Sequence, residues 1–177
     1  MLKILRTALE IIEAKQFLPG GRKSIVDRKK GTIAQTEFLE FLEIRVGARC
    51  MLIINLNLMD NLVNGQCGTV VGIEKDRKGH VQYIIVQFDD ESCGQMQRER
   101  YPLLTEKYKE KNGTPICKVD HEFNLSSQGG WSHASRAKLQ QFPIRLAYAQ
   151  TAHKMQVSIA ICFHYINFEI AFHFTYM

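Results

Sequence analysis

The alternation of apolar and polar positions is clearest in the middle of the chain. Residues 46, 48, 50, 52 and 54 are apolar in alternation, the period of a strand with one buried face. Two further strand patterns are joined by a polar turn, and two weaker ones follow; they cover residues 66–74, 81–88, 97–104 and 115–119. Short strands spaced about ten residues apart and separated by glycine-containing turns predict a small closed or nearly closed β-barrel.

The N-terminal pattern has a different period. Leu2, Leu5, Leu9 and Ile12 recur at helical spacing, which predicts a helix over residues 1–17 that ends before a Pro-Gly-Gly sequence. Residues 22–35 are polar and predict a linker. The segment 36–43 is apolar and acidic, and it fits either one or two helical turns or an extended lead-in to the barrel.

Beyond the barrel, residues 124–130 are rich in Ser, Gly and Gln and predict a loop, and residues 142–146 are predicted to be extended. The alanine-rich segment 147–156 predicts a helix. Residues 157–177 contain neither Lys, Arg, Gly nor Pro. Polar residues within them, such as Glu169 and His173, disfavour a membrane span, so a buried strand or a non-native tail is expected.

The distribution of charge is more informative than its total of +5. No Asp or Glu lies between Glu122 and Glu169, whereas four cations do: Arg136, Lys138, Arg145 and Lys154. A surface built from this window would favour an anionic partner. A second basic cluster at residues 22–30 is interpreted as a solvated face.

The five cysteines form no C-x-x-C pair, and no histidine completes a zinc-binding pattern, so no metal site is predicted. They are interpreted as small buried residues in a reducing compartment, either the nucleus or the cytosol. The N-terminus lacks the features of a cleaved signal or transit peptide.

Two stretches imitate nucleotide-binding elements. Residues 20–24 (GGRKS) resemble a phosphate loop, but Arg22 separates the glycines from the lysine. Residues 84–91 (IIVQFDDE) end in acids like a magnesium-binding strand, yet no phosphate loop precedes them. The sequence therefore predicts no complete ATP site.

Residues 151–154 are a more specific candidate for a functional site. Thr151, His153 and Lys154 offer a hydroxyl, an imidazole and an ammonium group in an acid-free region. Such groups suit a phosphodiester, because hydroxyl donors position the strand and lysine adds a salt-sensitive charge contribution. Taken alone, a His and a Lys on a helix are more often ordinary surface residues.

The surrounding sequence favours the functional interpretation. Residues 142–156 (FPIRLAYAQTAHKMQ) resemble motif five of RecD-like superfamily-one DNA helicases. Residues 46–73 (VGARCMLIINLNLMDNLVNGQCGTVVGI) resemble a second segment of the same family, V-G-A-x-V-M-L-x-x-N-x-D-x-x-x-G-L-V-N-G-x-x-G-x-V. The most similar branch is the PIF (petite integration frequency) ATP-dependent DNA helicases, together with the helicase part of Helitron transposons.

The resemblance implies an α+β, β-rich fold. Its parts would be a small Src-homology-3-type barrel, called domain 2B, and the remnant of a RecA-like domain. The expected organisation is an N-terminal helical segment and linker at 1–43, the barrel at 44–120, a return into the RecA-like domain at 121–156, and an apolar tail outside the family pattern at 157–177.

The resemblance also implies roles for individual residues. Arg145, Thr151, His153 and Lys154 would contact single-stranded DNA, and Lys154 with Gln156 would link this contact to the nucleotide. The family pattern continues with Gly after the Gln, whereas Val157 follows here. This departure suggests a C-terminal fragment of the family enzyme or a truncated product.

The expected function is that of a helicase fragment, in an enzyme that hydrolyses ATP to translocate on single-stranded DNA and unwind duplex. The complete enzyme would use ATP and Mg²⁺, whereas this chain alone is expected to bind neither and to have no turnover. The expected partners are single-stranded DNA and an N-terminal RecA-like domain, in the nucleus or in the mitochondrion. The alternatives are a free-standing RNA- or ribosome-binding barrel and a non-functional gene fragment.

Overall fold

The computed structural model describes residues 7–17, 26–27, 32–33, 36–124 and 136–147. In chain order, its strands are β1 (Glu10–Glu13), β2 (Lys15–Phe17), β3 (Val26–Asp27), β4 (Thr32–Ile33), β5 (Phe41–Ile44), β6 (Arg49–Leu52), β7 (Cys67–Lys75), β8 (Val81–Phe88), β9 (Thr114–Cys117), β10 (Val119–Asn124), β11 (Arg136–Gln141) and β12 (Ile144–Leu146). The helices are α1 (Gln95–Arg100) and α2 (Pro102–Lys107), with 3-10 turns at Leu58–Asp60 and Lys109–Lys111.

The largest sheet has five antiparallel strands in the order β12-β6-β7-β8-β9. Its centre is the β7–β8 hairpin, where Val70 pairs with Val86 and Ile73 with Ile84. Residues of β7 alternate between buried and half-buried positions, as expected for a strand with one face on the core. The β-rich class is therefore confirmed, while closure into a Src-homology-3-type barrel stays a prediction.

The larger of two apolar clusters in the described residues draws on β1, β5, β6, β7, β8, β9 and β12: Ile12, Leu42, Ile44, Ala48, Cys50, Leu52, Leu62, Val70, Val81, Ile84, Val86, Phe88, Cys93, Ile116, Phe142 and Ile144. Burial of each large aliphatic side chain stabilises the fold by about 1.5–3 kcal/mol. Ile12 and Leu42 belong to this cluster, so the N-terminal strands pack on the same core as the large sheet.

The two N-terminal strands pair with strands from two different parts of the chain. Strand β1 pairs with β5, and β2 pairs with β11 in a three-stranded sheet ordered β10-β11-β2.

The first and last described residues both form hydrogen bonds with the segment between Val46 and Arg49. Thr7 Oγ1 donates to the carbonyl of Val46 (2.7 Å), and the Ala147 amide donates to the carbonyl of Arg49 (3.0 Å). The incoming and outgoing chain therefore lie beside the same corner of the fold.

A buried glutamine fastens this junction. Gln141 is 1% exposed, and its Nε2 donates to the carbonyls of Ile12 (3.0 Å) and Leu39 (3.3 Å). Its Oε1 accepts the Phe142 amide (2.9 Å). One side chain thus satisfies three backbone groups from three segments, and an aliphatic replacement would leave them without these partners.

The helix predicted over residues 1–17 is wrong for its described part, because residues 10–13 and 15–17 form strands β1 and β2. Ile12 is buried, but Leu9 and Ile11 are exposed, which is strand alternation. Pairing with β5 overrides the local helical spacing. Within the segment 36–43, the alternative of an extended lead-in is correct at its end, where β5 begins.

The predicted fourth strand at residues 97–104 is also wrong. This stretch lies in α1 and α2, with Pro102 at the first position of α2, where its missing N–H costs nothing. The other predictions for the large sheet agree better. Strand β8 has the predicted bounds, β7 is displaced by one residue, and β9 falls within one or two residues of the fifth predicted strand.

Apolar residues of the predicted strands are mostly buried. Cys50, Leu52, Val70, Ile84 and Val86 are between 0% and 1% exposed, whereas Val46 is only half-buried. Of the cysteines, Cys50 and Cys93 are buried and the other two described ones are half-buried. Burial raises the pKa of the Cys50 thiol to about 12, which fits a structural residue and not a reactive one.

Candidate nucleic-acid interface

Of the predicted DNA-binding residues, Arg145 lies within the described part of the chain. It lies on β12, and its Nη1 is 3.1 Å from Glu37 Oε2, with side-chain exposures of 31% and 49%. An exposed pair of this kind is worth about 0–1 kcal/mol. A phosphate can therefore compete with Glu37 for the guanidinium.

Thr151, His153, Lys154 and Gln156 lie outside the described residues, as does the apolar tail at 157–177. The structure does not show them together, and their assignment to a DNA track stays a prediction. The last described residue before them is Ala147, whose amide is bonded to β6. Across the described ranges, no helix is long and apolar enough to cross a membrane.

The positive surface predicted from the acid-free window is partly neutralised by acids from elsewhere in the chain. Lys138 lies 2.9 Å from Asp120, a pairing that follows from the β10–β11 ladder. Arg145 is paired with Glu37. The linear charge distribution does not show this, because Asp120 is brought in by the pairing of β10 with β11 and Glu37 by the tertiary fold.

The turn between β7 and β8 is shaped by Asp76. Its Oδ1 accepts the amides of Lys78 and His80, both at 2.8 Å, and its Oδ2 lies 3.3 Å from His80 Nδ1. The His80 and Lys78 amides and the His80 ring lower the pKa of Asp76. Lys75 is paired with Glu10 (2.8 Å), while Arg77 and Lys78 are exposed at the tip.

A groove of 400 Å³ lies beside this turn. Its walls come from β2, from β8 and from the β9–β10 junction, and its lining includes Lys15, His80, Tyr83, Lys118 and Gln140. Strand pairing explains the assembly, because Lys15 pairs with Gln140 across β2 and β11. A larger, 620 Å³ groove adjoins it and shares Lys15, His80 and Lys118.

The two lysines of this groove affect each other electrostatically. Burial, and then the neighbouring Lys15 ammonium, lower the pKa of Lys118, while Asp76 acts in the opposite direction. The Lys118 ammonium also lies 5.5 Å from the centre of the Phe142 ring. In the part of the chain that the structure describes, neither Lys15 nor Lys118 forms an ion pair.

Sequence reasoning did not identify these lysines, because they are far apart in the chain and neither belongs to a charge cluster. The available signal was the β10-β11-β2 pairing, which local patterns did not predict. Asp120, the acid nearest to them in β10, is occupied by Lys138 and by Gln140 Nε2 (3.0 Å).

The absence of an ATP site from this chain stays a prediction. The acidic end of β8 is used structurally. Asp89 forms a bidentate pair with Arg49 (2.6 and 2.7 Å), and Asp90 Oδ1 accepts the amide and hydroxyl of Ser92. The GGRKS sequence lies outside the described residues.

The buried carboxylate of Asp60 is likewise structural. Asp60 is 3% exposed, and its two oxygens accept the amides of Met96 (2.8 Å) and Gln97 (2.9 Å) at the start of α1. The adjacent Asn61 occupies a position where the resembling family pattern has glycine. Its φ of 54° is left-handed, a conformation that asparagine tolerates.

No family model matches the chain. A search of characterised proteins finds human ATP-dependent DNA helicase PIF1, which is 32% identical over 124 residues. The match covers 70% of this chain and 15% of the human protein, so the chain spans about a seventh of that relative's length.

Solved structures show the same likeness in fold. Pif1 helicase from Candida albicans has a TM-score of 0.51 at 18% identity, covering 86% of this chain and 32% of that one. Unliganded Pif1 from Bacteroides sp has a TM-score of 0.50 at 18% identity, covering 85% and 36%. Bacteroides Pif1 in complex with ADP-AlF3 and single-stranded DNA also scores 0.50, with coverage of 85% and 27%. In sequence and in fold, the chain is similar to a part of Pif1 helicases.

Proposed function

We propose that this chain is a piece of a Pif1-type ATP-dependent DNA helicase and that it supplies part of the track for single-stranded DNA. The observation that carries the proposal is the 32% identity to human PIF1 over 124 residues. The two ordered motif resemblances, at residues 46–73 and 142–156, support it. The RecD-like and Helitron relationships belong to the same proposal.

The junction geometry supports an inserted barrel. Both ends of the described unit bond to the segment around Val46 and Arg49, through Thr7 and Ala147. Adjacent ends allow a domain to interrupt another domain without distorting it. We therefore propose that residues 44–120 form a 2B-like barrel and that residues 121–156 return the chain to a RecA-like domain with the motif-five segment.

Within this proposal, Arg145, Thr151 and His153 contact the DNA strand. Lys154 contributes charge to the contact and, with Gln156, couples it to the nucleotide. ATP, Mg²⁺ and a RecA-like domain belong to the complete enzyme, which would act in the nucleus or the mitochondrion. The 177-residue chain has no phosphate loop, and we expect it to bind single-stranded DNA without hydrolysing ATP.

Competition between nucleic acids tests the proposal. Fluorescence anisotropy of a labelled DNA single strand, with duplex RNA as competitor, is expected to show a preference for the DNA. The ion pair between Arg145 and Glu37 allows a more specific test of the same proposal. Glu37→Gln removes the competing carboxylate and should strengthen DNA binding if Arg145 is a contact.

The matched control is Glu106→Gln. It removes the same charge from an exposed ion pair between Glu106, on α2, and Lys109. It should change DNA affinity less than Glu37→Gln. A chain that prefers duplex RNA, or whose binding is lost only when Arg77 and Lys78 are replaced, would indicate the RNA-binding barrel instead. The comparisons do not favour that alternative.

A further inference from the structure

We propose that the groove lined by Lys15, Lys118, His80 and Tyr83 is a second binding site for single-stranded nucleic acid, separate from the motif-five segment. Lys15 comes from β2, Lys118 from the β9–β10 junction, and the other two from the β7–β8 hairpin. The inference rests on the proposed function only in taking DNA as the strand. The site itself is argued from the described residues.

The groove carries an excess of positive charge, with two lysines and one carboxylate, Asp76, in its lining. Lys15 and Lys118 face one groove, and neither forms an ion pair within the described ranges. Glu10, Glu13 and Glu40 line the adjoining larger groove and not this one. Asp76 holds the hairpin turn together, and Asp120 accepts Lys138 and Gln140. Two neighbouring ammonium groups repel each other, and a bound anion relieves this repulsion.

The fold prepositions the ammonium group of Lys118. Lys118 is half-buried, and its ammonium lies over the Phe142 ring, which is fully buried in the core. The backbone of Lys15 is fixed on a strand that pairs with β11, and its side chain is exposed. A cation held by the fold loses less side-chain entropy on binding a phosphate than a freely moving surface lysine.

An aromatic ring also lines the groove. Tyr83 lines the groove and is itself held by Tyr101, with ring centres 5.3 Å apart at 65°. Single strands are bound where a positive groove follows the backbone and an aromatic ring receives a base. The exposed Arg77 and Lys78 extend the positive surface along the hairpin tip. Charge and aromatic surface together favour a single strand over an isolated phosphate.

The test uses the whole 177-residue chain and a labelled oligothymidine measured by anisotropy at several salt concentrations. Lys15→Gln combined with Lys118→Gln should weaken binding roughly tenfold at low salt and flatten the slope of log affinity against log salt by about 1.4, or about 0.7 per lysine. The pair Lys15→Arg and Lys118→Arg should retain binding. Lys109→Gln removes one positive charge elsewhere and serves as the control, for which charge loss alone would give at most half the effect of the double variant.

Tyr83→Leu separates a nucleic acid from a simple anion. Loss of a stacked base should weaken binding about fivefold or more with the salt slope unchanged. If Tyr83→Leu binds like wild type, the assignment to a single strand is overturned. If the double glutamine variant keeps wild-type affinity and slope, or if Lys109→Gln weakens binding equally, the groove is not a site. In these cases the proposed function stands, whereas a wild-type chain that binds no DNA would contradict the proposed function itself.

Discussion

The carboxylate of Asp60 should be worth more to stability than any exposed charge in the molecule, because it caps α1 from a distant part of the chain. Both of its oxygens accept amides at the first turn of α1, from Met96 and Gln97, and the side chain is 3% exposed. Asp60→Ala removes both acceptors, while the Gly94 amide keeps its bond to the backbone carbonyl of residue 60. Hydrogen bonds to a charged acceptor contribute about 1.5–3 kcal/mol each, and water entering the site recovers part of the loss.

We therefore expect Asp60→Ala to lower the free energy of unfolding by about 2–3 kcal/mol. This corresponds to a fall in Tm of roughly 4–12 °C for a chain of this length. Asp60→Asn keeps one acceptor oxygen and should cost about 1 kcal/mol. Urea denaturation followed by far-UV circular dichroism measures both.

The control is Glu106→Ala, whose side chain is 75% exposed and pairs with Lys109 at 3.5 Å. It should change the free energy of unfolding by less than about 0.5 kcal/mol. The reasoning is refuted if Asp60→Ala is as mild as this control. It is also refuted if Asp60→Asn is as damaging as Asp60→Ala, since the loss would not then follow the number of acceptors.

Three further predictions concern other parts of the fold. Asn61→Val should destabilise the chain by about 1–2 kcal/mol while Asn61→Gly is nearly neutral in urea denaturation, because a β-branched residue resists a positive φ. Gln141→Leu should cost about 2–3 kcal/mol and increase hydrogen exchange in β1, because it leaves buried backbone groups unpaired. Stability should fall as pH rises from about 9 towards 12, because the folded chain raises the pKa values of Cys50 and Tyr108 to about 12 and holds their protons more tightly than the unfolded chain. Cys50→Ala and Tyr108→Phe should each reduce that fall; equal pH dependence in both variants and wild type would contradict it.

The large sheet was predictable because its signals are local. Strand β8 combines β-branched and aromatic residues, and a polar turn separates it from β7. The helices α1 and α2 were not predictable in the same way. Their residues fit a strand or a helix, and the cap that favours the helix comes from Asp60, which no local window includes.

The N-terminal strands show the same limit. Leu9 and Ile12 fit a helical stripe, but the partner that decides the structure is β5, about thirty residues later in the chain. The two candidate sites differ in the same respect. Thr151, His153 and Lys154 were identified from sequence because they are neighbours, whereas the Lys15–Lys118 groove depends on pairing between strands distant in sequence.

The salt dependence of DNA binding by Lys154→Ala and Thr151→Ala tests the central claim most directly. Lys154→Ala should weaken binding to a DNA single strand and flatten the slope of log affinity against log salt by about 0.7, because one phosphate contact is lost. Thr151→Ala removes a hydroxyl but no charge, so it should weaken binding with the slope nearly unchanged. If both variants bind like wild type at every salt concentration, the motif-five segment does not contact DNA and the helicase assignment of this chain is contradicted.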